Sequence, residues 1–204
     1  CGITGSTGVL GKNIIKNINF KFISFKGDIT NLNHVEKWIE FNNFDFLIHL
    51  AAVVPTHKVK ENYKYSKKVN FNGTKNLIDT IIKYKKKPKL IFFSSTSHVY
   101  KTSKTFKKLR ENDKIFPISL YGKTKFLAEN YIKKKLKNQK IKYCIGRIFS
   151  FTDKKQEKSF IIPALFNKIR NSKNVIKLTG LNHYRDFLVI EDISKAIEII
   201  CKKE

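Results

Sequence analysis

Acidic side chains are scarce. Against 42 Lys and Arg there are only 16 Asp and Glu in 204 residues, which leaves a formal charge of +26 and a pI near 10.0. Such an excess ordinarily points to nucleic acid or an anionic membrane. Arginine is rarer still, with 4 against 38 lysines, and the lysines are scattered over nearly every segment. Base readout and tight phosphate gripping favour arginine, so no specific nucleic-acid partner is expected. Lys, Asn, Ile and Phe are abundant together, as codons of an AT-rich genome would make them, and Lys83 to Lys89 and Lys133 to Lys142 read as solvated helix ends. Apolar runs are short. None approaches the roughly 20 residues that span a bilayer, and no signal peptide is recognisable. The three cysteines, Cys1, Cys144 and Cys201, are dispersed without metal spacing, which suggests reduced thiols and a cytoplasmic location. His34, His49, His57, His98 and His183 also lack metal-site spacing, so no metal is expected, and His49 reads as a strand-end packing residue. Repeats and low-complexity linkers are absent.

What the chain does contain starts at its first residues. Cys1-Gly-Ile-Thr4 reads as the tail of a buried strand, Gly5-Ser-Thr-Gly8-Val-Leu-Gly11 as a turn, and Lys12 to Ile18 as a helix by its apolar spacing. A glycine turn in this place lets backbone approach a pyrophosphate, and the helix that follows presents free N–H groups and a positive dipole end. The glycines are spaced three and three, which matches the GxGxxG fingerprint only in part. Phe44 to Leu50, Lys89 to Ser94 and Ile141 to Arg147 are apolar runs of strand length, each preceded by a stretch of helical periodicity. This alternation predicts an α/β fold with a doubly wound parallel sheet. Ligands of such sheets bind beyond the carboxyl ends of the strands, where Gly5, Ala51 and Thr96 would fall.

Tyr121 and Lys125 stand four residues apart in Ser119-Leu-Tyr-Gly-Lys-Thr-Lys-Phe-Leu-Ala-Glu129, hence on one face if the segment is helical. An ammonium beside a phenol favours the phenolate and would make it a usable base near neutral pH. The spacing alone is common on solvated helices, so its meaning depends on the rest of the chain.

Taken together these motifs resemble the extended short-chain dehydrogenase/reductase family of NAD(P)-dependent nucleotide-sugar epimerases, dehydratases and reductases, and the resemblance runs along the whole chain. Thr4-Gly5-x-x-Gly8-x-x-Gly11 is similar to its cofactor turn, which implies cofactor contacts at Gly5, Ser6, Thr7, Gly8, Val9 and Leu10. Gly27-Asp28-Ile-Thr30 resembles the adenine-contacting segment and implicates Asp28 and Ile29. His49-Leu-Ala-Ala52 resembles the strand end beside the cofactor's centre, implicating Leu50, Ala51 and Ala52, and Asn70-Phe-Asn-Gly-Thr74 resembles the helix whose asparagine braces the central strands. Phe93-Ser-Ser-Thr96-Ser-His-Val-Tyr100 is similar to the strand end with the catalytic Ser or Thr. Counting back four from Tyr100 selects Thr96 over Ser94 or Ser95. Arg147-Ile-Phe149 and Arg185-Asp-Phe187 resemble two later signatures, the second supplying an arginine to the substrate's diphosphate, and Ser159-Phe160 and the residues up to Pro163 resemble the stretch that covers the substrate's nucleotide.

The resemblance implies a catalytic set of Thr96, Tyr121 and Lys125, with Tyr121 and Lys125 also touching the cofactor and Thr96 the substrate. It implies NAD or NADP as cofactor, a nucleotide sugar as substrate, and a homodimer as one option. The expected activity is that of a nucleotide-sugar epimerase or keto-sugar reductase, the alternative being a catalytically silent NAD(P)-binding or scaffold protein of the same fold. Phe20 to Phe25 runs straight into Lys26-Gly-Asp28, a compression resembling the dTDP-4-dehydrorhamnose reductase branch. No acid marks the second strand's end, so NAD and NADP stay open. Ser97-His98 stands where dehydratases carry an acidic pair, which ranks dehydration last. The expected organisation is a Rossmann domain over 1–149, a small substrate lobe over 150–185, and a return of 186–204 onto the Rossmann domain. Both ends are expected to be clipped, because methionine is absent, the first strand is about four residues long, and family members continue further into the substrate lobe.

Overall fold

In a computed structural model describing residues 1–54, 56–101, 108–173, 175–178 and 184–203, the short apolar runs line up as one five-stranded parallel sheet in the order β2-β1-β3-β4-β5. The strands are β1 (Gly2–Thr4), β2 (Ile23–Ser24), β3 (Phe46–His49), β4 (Leu90–Thr96) and β5 (Lys142–Ile148). Their apolar character is continuous, not alternating, because helices cover both faces of the sheet. On one face Leu47, Ile91 and Phe93 pack with Val35, Leu77, Ile78, Ala128 and Ile132, from α2 (Leu32–Phe41), α5 (Gly73–Lys83) and α6 (Leu120–Leu136). On the other, Ile3, Ile48, Leu90 and Phe92 pack with Ile14, Ile193, Ile197 and Cys201, from α1 (Val9–Asn17) and α8 (Ile190–Lys202). This is the doubly wound arrangement expected from the alternation of strands and helices.

The strand order reverses between β1 and β3. Chain direction out of β1 leads by α1 to β2 on one side, while β3 and β4 lie on the other, so a crevice opens above the carboxyl ends of β1 and β3. β2 has only two residues, in keeping with the compressed segment from Phe20 to Asp28. The stretch between β3 and β4 is more broken than its periodicity implies. It comprises α3 (Thr56–Glu61), α4 (Tyr63–Lys67), a π-helical turn at Lys68–Asn72 and then α5. Beyond β5, the pair β6 (Ser150–Thr152) and β7 (Phe187–Val189) forms a separate parallel ribbon, with α7 (Ile161–Asn171) between them in sequence. Among the described residues no helix is long and apolar enough to cross a membrane. His183 lies outside the described residues.

Candidate active site

The site grows out of three strand ends. At the end of β1 the chain turns at Gly5 with φ +72°, and a Cβ there would stand 2.7 Å from the backbone nitrogen of Ala51. Glycine is required on both counts. The turn closes with a hydrogen bond from Gly8 N–H to the Gly5 carbonyl, and α1 follows from Gly8 as N-cap, with no side-chain hydrogen bond at that cap. Ser6 is half-buried and Thr7 and Gly8 are exposed, while Val9 and Leu10 are half-buried as α1 enters the fold. Leu50, Ala51 and Ala52 form a partly buried segment directly beside this turn.

Beneath the turn a one-way chain of hydrogen bonds ties β1, β3 and α5 together. Ala51 N–H donates to Thr4 Oγ1 at 3.2 Å. The Thr4 hydroxyl lies 2.6 Å from His49 Nδ1, and His49 Nε2 lies 2.9 Å from Thr74 Oγ1. Because Thr74 spends its own proton on the Asn70 carbonyl, it accepts from Nε2–H, so Nδ1 accepts from Thr4. Burial first, and the charge of Lys125 second, push the His49 pKa down to about 3. The imidazole is thus a neutral structural tie, as its place at a strand end suggested. Asn70 is a second tie. Its Oδ1 accepts from Val53 N–H at 2.7 Å and its Nδ2 donates to the Val53 carbonyl and to Thr124 Oγ1. Thr124 in turn donates to the carbonyl of Tyr121. The amide therefore braces the 50–53 segment and α6, with its polar atoms engaged by protein.

α6 starts where Ser119 caps it, its Oγ accepting from Gly122 N–H at 3.0 Å. Gly122 permits the close approach of the turn at Ser97–Val99, since a Cβ there would lie 2.3 Å from the carbonyl oxygen of His98. That contact sets Tyr121 against the end of β4, beside Thr96. Ser95 points the other way, donating to buried Glu129. Thr96 is thus the hydroxyl brought to the phenol, as the count from Tyr100 selected. Tyr121 and Lys125 share one helix face and are only 7% and 2% exposed. The ammonium of Lys125 sits 4.6 Å from the centre of the Phe93 ring.

The expected direction of the phenol's shift is corrected by this burial. Desolvation pushes the Tyr121 pKa above its ordinary value, and the neighbouring Thr96 only works against it. The same desolvation lowers Lys125 to about 7, opposed by Glu129. A sequence shows the ammonium four residues on but not the loss of water around both groups, and here water loss wins.

Other expected residues are more loosely gathered. Asp28 is exposed, with Oδ1 accepting from Thr30 N–H at 2.8 Å, a bond that holds its carboxyl below the usual range. Ile29 is buried against Gly73. Ser159 and Phe160 lead into α7, where Ser159 is exposed and Phe160 is the N-cap residue. Arg185 is exposed, yet its charge acts on His98, lowering the imidazole pKa after desolvation. His98 itself lies edge-on to Tyr121 with ring centres 5.7 Å apart. His98 and Glu129 escaped selection in the sequence. The second had a signal, since it continues the four-residue spacing of Tyr121 and Lys125 on one helix face. Among the described residues no group of three or more His, Cys, Asp or Glu could hold a metal ion.

Residues 1–204 match the model of the NAD dependent epimerase/dehydratase family from end to end. The chain belongs to that family. Within it, the chain is 31% identical over 202 residues to a dTDP-D-glucose 4,6-dehydratase of Dictyostelium discoideum, covering 93% of this chain and 45% of that protein. It is 28% identical over 214 residues to a GDP-6-deoxy-D-talose 4-dehydrogenase of Aggregatibacter actinomycetemcomitans, covering 96% and 70%. RMD from Pseudomonas aeruginosa, solved in complex with NADPH, superposes with a TM-score of 0.86 at 18% identity over 98% of this chain and 72% of its own. The family's fold is therefore shared over nearly the whole chain, which spans less than half of the dehydratase's length.

Proposed function

We propose that the chain carries the proton-transfer and cofactor-binding machinery of an NAD(P)-dependent nucleotide-sugar epimerase or keto-sugar reductase. The observation that carries this reading is the convergence of Thr96, Tyr121 and Lys125 at the carboxyl end of β4, with Thr96 beside the phenol. The nucleotide-sugar names of its relatives point the same way.

The residues fit a nicotinamide dinucleotide. The bare turn at Gly5, whose φ and close approach to Ala51 admit no side chain, together with the first turn of α1 behind Gly8, can take a pyrophosphate. Exposed Asp28 stands beyond β2 for the adenosine end, and Ala51 and Ala52 line the middle. When bound, such a cofactor supplies the hydride acceptor or donor. The chain's own groups then handle the proton. A buried phenol held above its ordinary pKa is protonated at neutral pH, so Tyr121 is suited to donate to a carbonyl oxygen as it is reduced, and to take the proton back in reverse. Thr96 orients that oxygen, and Lys125 places a cation beside the phenol and the cofactor's ribose. Ser159, Phe160 and Arg185 are assigned to the substrate's nucleotide and diphosphate.

The test is incubation with UDP-, dTDP- and GDP-sugars and each nicotinamide cofactor, followed by cofactor absorbance and chromatography of products. Conversion is expected with at least one sugar, and Tyr121→Phe should keep cofactor affinity while losing roughly 10²–10⁴-fold in turnover. Full turnover in that variant would remove Tyr121 from the mechanism. Cofactor binding with no conversion of any sugar would leave the silent protein of the same fold.

A further inference from the structure

Glu129 is fully buried, and a buried carboxylate is costly unless it is paired and hydrogen-bonded. Its bonds go to two strands around the site. Oε1 accepts from Ser95 Oγ at the end of β4 and from Arg147 Nε of β5 at 3.1 Å, and Oε2 accepts from Arg147 Nη2 at 2.9 Å. Arg147 is itself held by Nη1 donating to the Tyr100 hydroxyl at 3.0 Å and to the Glu111 carbonyl at 3.2 Å, with its guanidinium 4.9 Å from the Tyr100 ring centre. Lys133, one turn further along α6, approaches Oε2 to 3.9 Å from the solvent side. The helix that bears Glu129 also bears Tyr121 and Lys125, and the strand it grips through Ser95 ends one residue later in Thr96.

We propose that Glu129 is a positioning residue of the proton-transfer site, whose carboxylate locks α6 to β4 and β5 and sets a fixed negative charge one helical turn from Lys125. This deepens the function proposed above and rests on it only for its catalytic meaning. Its two effects are separable. The mechanical one fixes Thr96 relative to Tyr121, because Ser95 and Thr96 are consecutive and Tyr121 is two turns before Glu129. The electrostatic one favours the charged form of Lys125 in a buried place that otherwise favours the neutral amine, as Glu129 opposes that desolvation. The charged and titratable groups around Lys125 are Tyr121 and Glu129 from its own helix and His49 from β3, the last neutral.

The test reads Lys125 directly in the cofactor-free protein. Lysine labelled at Cε is titrated by NMR, with the Lys125 resonance identified by its loss in Lys125→Gln. In Glu129→Gln the midpoint should move below that of the parent protein, leaving at least about tenfold less ammonium at alkaline pH. Arg147→Gln keeps the carboxylate, so its midpoint should stay at or above that of the parent. Should Glu129→Gln fail to fold with Arg147 unpaired, the double variant Glu129→Gln/Arg147→Gln removes both charges and should still show the lowered midpoint. An unmoved midpoint in whichever of the two folds overturns the electrostatic role. For the mechanical role, Ser95→Ala keeps the charge and should lower kcat severalfold with KM, cofactor affinity and the Lys125 midpoint unchanged; unchanged kcat overturns it. A lowered midpoint in a protein that binds neither nicotinamide cofactor would sink the proposed function and leave the Glu129–Lys125 coupling standing.

Discussion

The helix that bears Tyr121 and Lys125, α6, and the helix between β6 and β7 in sequence, α7, end in opposite environments. α6 buries Tyr121, Thr124, Lys125, Ala128, Glu129, Ile132 and Leu136. α7 buries none of its residues, and its apolar side chains Ile161, Phe166 and Ile169 stand 46%, 67% and 59% exposed. The difference separates the two halves of the site. The groups assigned to proton transfer are held by a closed net of core packing and buried hydrogen bonds, while the groups assigned to substrate, Ser159 and Arg185, sit on exposed backbone. Burial also sets their chemistry. Loss of water is the largest cause pushing Tyr121 above and Lys125 below their ordinary values.

The contrast is broken or sharpened most strongly by paired truncations. Ile48, with no exposure in β3, packs between the sheet and the α1/α8 layer. Ile48→Ala should cost about 2–5 kcal/mol in denaturant unfolding, the range for a fully buried aliphatic side chain. Phe166→Ala in α7 should change stability by no more than about 0.5 kcal/mol, as exposed positions do. Equal losses at the two positions would mean that α7 shares the core's cooperativity.

Acid should find the inner half through His49. Its folded pKa of about 3 lies below the ordinary 6.5, so under pH 6.5 the unfolded chain takes up a proton that the native imidazole refuses. The contribution is intact above that pH and is lost progressively toward pH 3, at about 1.4 kcal/mol for each pH unit inside the window. His49→Gln removes the proton uptake, so its stability should fall less steeply between about pH 6 and pH 4. Parallel curves for the two proteins would show that His49 is not held neutral by the Thr4–Thr74 tie.

Much of this was legible in the chain. β3, β4 and β5 fall within two residues of the apolar runs that announced them. Local signals sufficed there because a strand buried on both faces must be apolar throughout. The count from Tyr100 picks Thr96 out of three neighbouring hydroxyls, and in the structure Ser95 turns to Glu129, as alternate residues of a strand face opposite ways. Illegible were quantities that depend on distant chain. The spacing of Glu129 from Tyr121 and Lys125 marks its face of the helix, but its burial appears only when Ser95 and Arg147 close over it. The π-helical turn at Lys68–Asn72 left no mark either; it occurs where Asn70 reaches both Val53 and Thr124. The sign of the Tyr121 shift likewise needed the water-free surroundings that only packing creates.

The smallest expected effect concerns the link between the two regions. Lys58 of α3 meets Glu157, just before α7, at 2.9 Å, with both side chains about half exposed. Glu157 is also within 3.5 Å of the Ser159 hydroxyl. An ion pair in open water is screened and contributes little to stability, so Lys58→Ala should leave the thermal midpoint nearly unchanged, and unchanged altogether in 1 M salt. The pair can still matter for placement, because it is a tether from the α3 side of the core to the segment that carries Ser159 and Phe160. If it is, Lys58→Ala should weaken the apparent affinity for a nucleotide sugar by a small factor while cofactor affinity and kcat hold. Should cofactor affinity fall instead, the tether acts on the inner half of the site, and the division between a closed proton-transfer half and an open substrate half would have to be redrawn at α3.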